Sequence, residues 1–350
     1  MKIKEAAEKL NLSPQAIRFY EEKGLIAPEK QKDNQYRVFS DADVERLKTI
    51  GSFREIGMPI EAIQKALKEM DEGKSSELLA YLDRQRSEMA DQWVALKDMM
   101  DTTDQMIHRL RKEETPVSTG IHQLADKLKR LKKLRQDWED RWNFDNQAAR
   151  YDRQVYESVG NFNIHANYDE ALDLTFEWID PVSGERGLEI GIGTGNLAGR
   201  FVEAGARMFG VDQSTEMLNQ CRKKFPEVET KLGHFLALPY QDHQFDFVVT
   251  SYALHHLEED QKELALQEMG RVLIPSGRIC ITDLMFQNQE DRVEYLRLLE
   301  ERGRLDIAAA IEDEYFADRS RLLRWFEKHG YETKTKKVNH FLHMLQAKKM

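Results

Sequence analysis

Apolar positions along the first seventy residues recur at helical spacing. Ile3, Ala6, Ala7 and Leu10 share a face and predict a short helix over 3–10. Asn11 and Leu12 make a turn, Ser13 is a suitable N-cap, and Pro14 suits the first helical position. Ala16, Ile17 and Tyr20 continue the apolar face until Gly24 ends the helix as a C′ residue. Asp33-Asn34-Gln35 then leads into Tyr36-Arg37-Val38-Phe39, a turn and a β-prone run that predict a small hairpin wing. Ser40 and Asp43 open a third helix with a capping box. Gly57-Met58-Pro59 separates it from a fourth over about 60–70.

From Ser75 to about Lys112 neither proline nor glycine occurs. Leu78, Leu82, Met89, Trp93, Leu96, Met100, Ile107 and Leu110 follow a near 3-4 repeat, with Gln85 and Thr103 in the polar gaps. The pattern predicts one helix of roughly 38 residues, about 57 Å long, which needs a coiled-coil partner. Thr115-Pro116-Val117-Ser118-Thr119-Gly120 reads as a linker. Ile121, Leu124, Leu128, Leu131, Leu134, Trp138 and Trp142 then line another helix. Its other face carries Lys127, Lys129, Arg130, Lys132, Lys133 and Arg135, a solvated face before it is a phosphate-contacting one. From about 143 the pattern changes to short apolar strands at 187–190, 207–211, 228–232, 245–250, 278–282, 331–337 and 339–347, with helices between. This predicts a doubly wound α/β domain with a final antiparallel pair. The domains expected are 1–72, 73–114, 115–142 and 143–350.

A length of 350 residues suits two or three domains. No apolar run approaches the roughly 18 residues that span a bilayer, and Met1 to Ala7 lack a signal-peptide pattern, so a cytoplasmic protein without membrane contact is expected. Cys221 and Cys280 are the only cysteines, which suggests reduced thiols. The net charge of −10 argues against a protein that merely coats nucleic acid. Residues 1–40 hold eight Lys/Arg and six Asp/Glu, so DNA binding must rest on motif geometry.

Chemistry enters at Leu188-Glu189-Ile190-Gly191-Ile192-Gly193-Thr194-Gly195-Asn196. A strand, three spaced glycines and a helix bring bare backbone close to a ligand. Asp212 ends the next strand, 21 residues after Gly191, where a carboxylate can accept two hydrogen bonds from a ribose diol. On these residues alone a dinucleotide dehydrogenase stays open. Glu189, two positions before Gly191, would repel a pyrophosphate and attract an ammonium group. Gly233-His234-Phe235 follows the third strand, and Phe245 to Leu257 forms the fourth with its exit. No metal site is expected: adjacent histidines on a helix point about 100° apart, and His340 and His343 fall on opposite strand faces.

With these motifs the region 142–347 resembles the class I S-adenosylmethionine-dependent methyltransferases, most closely the small-molecule, YrrT-like type. The resemblance implies a Rossmann-like fold with S-adenosylmethionine as cofactor and S-adenosylhomocysteine as product. It implies that Glu189, Gly191, Gly193 and Gly195 line the methionine end, with Ser251 near it. Asp212 falls on the ribose, and Gln213, Met217, His234 and Phe235 beside adenine. Residues 143–152 resemble the N-terminal lid, with Tyr151 facing the cofactor. The family usually carries an acid where this chain has His234; a neutral imidazole could accept from the adenine amino group, a protonated one could not. Tyr151, His165, His255, His256 and Asp283 are the candidates to orient or deprotonate an acceptor.

Residues 2–113 resemble the MerR family of transcription regulators, on Ala16 to Ile26, Tyr36 to Ser40, the helix pair and the long helix. The resemblance implies a winged helix-turn-helix that uses Ser13, Gln15, Arg18, Tyr20, Tyr36 and Arg37 on DNA. It also implies a homodimer on paired promoter half-sites that deforms the spacer and so acts indirectly on RNA polymerase. The absence of cysteine before position 221 argues against thiolate metal sensing. The expectation is a multidomain regulator whose C-terminal domain binds S-adenosylmethionine and methylates a small acceptor that can also be the effector. A sensor without turnover, and an enzyme with an autoregulatory DNA-binding arm, are the alternatives.

Overall fold

The structure is a computed structural model that describes residues 1–31, 36–112, 117–138, 141–156 and 163–350. The chain divides into two units, Met1–Leu82 and Asp83–Met350. The turn expected at Asp33-Asn34-Gln35 and the Thr115-Pro116 part of the expected linker lie outside the described residues.

The first unit is built from α1 (Ile3–Leu10), α2 (Pro14–Glu22), β1 (Glu29–Lys30), β2 (Arg37–Val38), α3 (Asp41–Glu55) and α4 (Ile60–Asp71). Local signals set its boundaries. Ser13 Oγ accepts from the Ala16 amide at 3.0 Å, and Ser40 and Asp43 form the expected capping box. β1 and β2 pair antiparallel as the wing. Ile17, Tyr20, Leu25, Phe39, Leu47, Ile50 and Ile63 form the core. Leu78, expected on the coiled-coil seam, packs partly buried against this core.

α5 (Ser76–Arg111) begins in the first unit and ends in the second. Its apolar row is exposed at Met89, Trp93, Leu96, Met100, Ile107 and Leu110. From Asp83 onward the other side of α5 carries ion pairs: Asp83 to Arg222 at 3.2 Å, Lys97 to Asp242 at 2.5 Å, and Asp98 to Arg135. α6 (Val117–Gln136) takes in Val117 to Gly120, which the sequence assigns to a linker. It also ends before Trp138 and Trp142, so these two leave the predicted helix. Part of its basic face is paired within the unit, Arg130 with Asp260 and Arg135 with Asp98.

The α/β unit continues with α7 (Phe144–Gln147), α8 (Tyr151–Gln154), α9 (Tyr168–Ile179), β3 (Arg186–Ile190), α10 (Asn196–Glu203), β4 (Arg207–Asp212), α11 (Thr215–Lys224) and β5 (Glu229–Leu232). Then follow β6 (Phe245–Ser251), α12 (Glu259–Val272), β7 (Leu273–Phe286), α13 (Gln289–Glu301), α14 (Leu305–Asp313), β8 (Ala317–Asp318), α15 (Arg319–Lys328), β9 (Tyr331–Lys337) and β10 (Leu342–Lys349). The sheet runs β5-β4-β3-β6-β7-β10-β9, with β8 alongside β7. Its first five strands are parallel and β10 and β9 pair antiparallel. β7 starts five residues before its predicted bound. Pro275, Ser276 and Gly277 are absorbed where the register against β6 jumps from Phe245↔Leu273 to Phe247↔Arg278.

Both faces of the sheet are covered at its central strands β3, β4, β6 and β7, which accounts for their continuous apolar runs, whereas edge strand β9 is largely exposed. Leu172, Phe201 and Ile311 pack on one face, and Leu264, Met269 and Phe326 on the other. Strand order reverses about β3, with β4 on one side and β6 on the other. The carboxyl ends of these three strands bound a crevice of the kind where such folds bind ligands.

Candidate functional site

The glycine loop closes onto the crevice by backbone bonds. The amides of Gly191 and Ile192 donate to Val211 O at 2.8 and 3.0 Å. Gly191 has φ +70°, and a Cβ there would lie 2.4 Å from Ala253 Cβ. Gly193 has φ +53° and open space where a Cβ would be, so its bare backbone faces the cavity. Asp212, at the end of β4, fixes this loop to the next turn: Oδ2 accepts from Gly193 N at 2.8 Å and Oδ1 from Ser214 N at 2.9 Å. Gly195 is placed otherwise than expected. It lies outside the cavity lining, and a Cβ on it would meet Cys221 Sγ at 2.8 Å and Phe225 at 3.0 Å. Close packing against α11 and its exit requires it.

Glu189 is 2% exposed, and its Oε2 has no hydrogen-bond partner among the described residues. Burial raises its carboxyl well above the usual range, against the lowering effect of the Ala198 amide. An orphaned carboxyl that lines the cavity beside Gly191 and Gly193 is a ready acceptor for a ligand ammonium. Tyr151, Asp212, Gln213, Met217, Phe235 and Ser251 line the same cavity.

His234 lines the cavity too, but its ring edge is not offered to a base. Nδ1 accepts from the Leu236 amide at 3.2 Å, so the proton sits on Nε2, which faces Asp91 Oδ1 at 3.0 Å. Trp138 stacks on the ring at 4.6 Å, 15° from parallel. The expected hydrogen bond from an adenine amino group to this imidazole therefore has no vacant nitrogen.

Residues 143–154 form a strap across the crevice. Asp145 accepts from Ser214 Oγ at 2.6 Å and from the Glu216 amide at 3.1 Å. Asp152 accepts from Thr194 Oγ1 at 2.5 Å and from Lys224 Nζ at 2.9 Å. These two carboxylates hold Phe144, Gln147 and Tyr151 in the cavity wall. Burial, then the Asp212 carboxylate, raises the Tyr151 phenol, which leaves it neutral at physiological pH.

His255 and His256 lie in a short 3₁₀ turn, Leu254–His256, that follows β6, and line the opposite wall with Glu314. Asp283 on β7 is fully buried and lies outside the lining. Its Oδ2 accepts from the amides of Ala253 and Leu254 at 3.0 and 2.6 Å, and its Oδ1 pairs with His255 Nδ1 at 2.5 Å. Asp283, expected to touch an acceptor, is thus a positioning residue for the turn and for His255. Burial alone would lower the His255 imidazole, but the Asp283 carboxylate reverses this and raises it. His165 also lines the cavity, held down to about 4 by burial and by His255 and His256.

Glu314 gives no signal in the sequence; tertiary contacts bring it here. The Tyr315 amide donates to His255 O at 3.1 Å. Lys262, fully buried, donates to Leu257 O at 2.6 Å and Tyr315 O at 2.7 Å. Trp138, Trp142, Tyr168 and Tyr252 are further wall residues that the motif reading did not assign to the site. Two tryptophans just beyond a basic helix were the visible sign of the first pair.

In the first unit, Gln15 and Arg18 are exposed on α2 and Tyr36 is exposed in the wing. Ser13 serves as the helix cap. Arg37 pairs with Glu21 at 2.5 Å and so ties wing to α2. Tyr20, expected on DNA, is only 7% exposed and belongs to the core.

Residues 1–70 match the MerR HTH family regulatory protein model, and residues 188–277 match a methyltransferase domain model. An uncharacterized methyltransferase of Oceanobacillus iheyensis is 30% identical over 208 residues, 59% of this chain and 96% of that one. The chain belongs to this methyltransferase family. A second methyltransferase relative, from Alkaliphilus oremlandii, is 31% identical over 207 residues, 59% of this chain and 95% of that one. This methyltransferase is therefore a fusion, with a MerR-type helix-turn-helix domain at its N-terminus. Among solved structures, magnesium protoporphyrin IX methyltransferase from Synechocystis with bound SAH is 16% identical. It covers 59% of this chain and 96% of that one, at a TM-score of 0.47.

Proposed function

We propose that the protein is a DNA-binding transcription regulator whose α/β unit binds S-adenosylmethionine and methylates a small-molecule acceptor. The observation that carries this reading is the pairing, in one cavity, of the orphaned Glu189 carboxyl with the Asp212-braced glycine loop. Glu189 and Gly193 would hold the methionine end, Asp212 the ribose, and Met217 and Phe235 the adenine. When bound, S-adenosylmethionine supplies a methyl group already activated by its sulfonium. The protein then has to align the acceptor and exclude water. Phe144, Gln147 and Tyr151 on the strap serve exclusion, and the imidazole and aromatic wall serves alignment. His255, held by Asp283, is the imidazole best placed to orient the acceptor. His165 and the neutral Tyr151 phenol act as hydrogen-bonding groups.

Gln15, Arg18 and Tyr36 face promoter DNA in this reading, and the exposed row on α5 joins two copies, which then act on RNA polymerase through DNA shape. A ligand that bound both DNA-binding states equally would shift nothing. We therefore assign the signal to the acceptor or to the demethylated cofactor. Calorimetric titration of S-adenosylmethionine, followed by promoter binding with cofactor, its demethylated product and candidate acceptors, tests both parts. The expectation is cofactor binding that Asp212→Ala weakens at least tenfold, and a shift in DNA affinity with the acceptor or the product. Absence of cofactor binding overturns the enzyme reading; unchanged DNA affinity with every ligand overturns the coupling.

A further inference from the structure

The wall formed by His255, His256 and Glu314 contains two buried polar atoms that face each other. His256 Nδ1 and Glu314 Oε2 are 3.3 Å apart, and beyond this contact neither atom has a hydrogen-bond partner among the described residues. His255 Nε2 lies 3.9 Å from the same Glu314 oxygen. One atom from each of the three side chains fits within 4.8 Å of the others. Two ligand atoms bound about 2.0–2.1 Å from a tetrahedral ion stand about 3.3 Å apart. The pair is therefore spaced as two ligands of a shared centre.

The surroundings fix each donor as a ligand set requires. Asp283 takes His255 Nδ1 at 2.5 Å and leaves Nε2 for a ligand, the carboxylate–histidine arrangement that orients metal-binding imidazoles. The Trp142 indole donates to Glu314 Oε1 at 3.2 Å, which turns Oε2 toward the histidines. Trp142 and Phe144 hold the His256 ring between centroid distances of 4.3 and 5.0 Å. The helical-spacing objection to adjacent histidines does not apply, because the two side chains bend toward each other and bring their ring centroids within 4.1 Å.

We propose that His255 Nε2, His256 Nδ1 and Glu314 Oε2 bind one divalent transition-metal ion of the zinc class. Two imidazoles and one carboxylate suit such an ion better than magnesium or calcium, which favour all-oxygen sets. Three protein ligands leave a coordination position open toward the cavity, where an acceptor oxygen, nitrogen or sulfur would bind. The site stands on its own geometry and does not depend on the methyl-transfer reading.

The test uses the full chain, stripped with a chelator and titrated with Zn²⁺ by calorimetry and with Co²⁺ by visible absorption. One equivalent per chain is expected, with affinity at least tenfold weaker in Glu314→Gln and in His256→Ala. Glu314→Gln keeps the side-chain shape, so it decides alone if His256→Ala melts early. Binding well below one equivalent, or isotherms unchanged in Glu314→Gln, overturns the proposal.

Discussion

His234 Nε2 donates to Asp91 Oδ1 at 3.0 Å, a hydrogen bond that joins the wall of the ligand cavity to α5. Within the α/β unit, the helix that bears the exposed apolar row thus touches the residue expected beside adenine. Asp91→Ala removes the acceptor and frees the ring to turn under Trp138. A lost hydrogen bond of about 1 kcal/mol should weaken binding of S-adenosylmethionine about fivefold, whereas Asp91→Asn keeps an acceptor and should stay near wild type. Calorimetry on both variants checks this. Equal affinity for all three proteins would show that Asp91 does not steady the wall.

Gly191 and Gly193 should respond oppositely to a single methyl group. Gly191→Ala drives a Cβ to 2.4 Å from Ala253 Cβ, so the loop must move and the melting temperature should drop. Gly193→Ala meets no atom within 4 Å and carries only the strain of a positive φ, about 1 kcal/mol. Gly193→Arg should fill the cavity mouth and abolish cofactor binding while the ligand-free protein keeps its DNA affinity. Gel-shift and melting measurements together separate a local effect from lost folding.

Arg18→Ala and Tyr20→Ala should part in the same way on the DNA side. Arg18 is exposed on α2. Its loss should weaken promoter binding and lower the slope of log affinity against log salt by about 1. Tyr20 is core, and truncation should cost about 3 kcal/mol or more of stability. A Tyr20→Ala protein that folds normally but loses only DNA would return Tyr20 to the interface.

The exposed row on α5 makes a prediction about mass. Leu96 and Met100 are 52% and 60% exposed. If they form the seam between two copies, Leu96→Glu with Met100→Glu should halve the sedimentation mass and leave the circular dichroism of the α/β unit unchanged. A wild-type chain that sediments as a monomer at micromolar concentration would remove the seam.

Acid should destabilise the α/β unit through His343. This ring is 1% exposed and accepts from Arg319 Nη1 at 2.9 Å. Burial, then the Arg319 charge, pushes it down to about 4 from its ordinary 6.5. The unfolded chain therefore binds the proton first. The stabilisation is complete above about pH 6.5 and is lost as pH falls toward 4, by roughly 2 to 3 kcal/mol. His343→Leu should flatten that limb in melts taken from pH 7 to pH 4; an unchanged slope would exclude the ring as its source.

Local chemistry made much of this protein legible in its residue order. Ser13 and the Ser40–Asp43 box set helix starts because a cap acts within three residues. Gly191, Gly193 and Asp212 were recognisable because a loop between a strand and a helix is itself local. The 3-4 repeat of α5 followed from helical periodicity alone. Residue order alone points to Tyr20 and Gly195 as ligand contacts, and each instead fills a packing space whose other wall lies elsewhere in the chain. Only the fold could bring Glu314 to His256, Asp283 under His255, and Asp91 and Trp138 to His234, since these partners are separated by up to 143 residues. Spacing along a chain fixes which neighbours share a helix face or a turn. Which distant side chains meet depends on how buried sheet faces and their covering helices close, and that closure decided the far wall of the cavity.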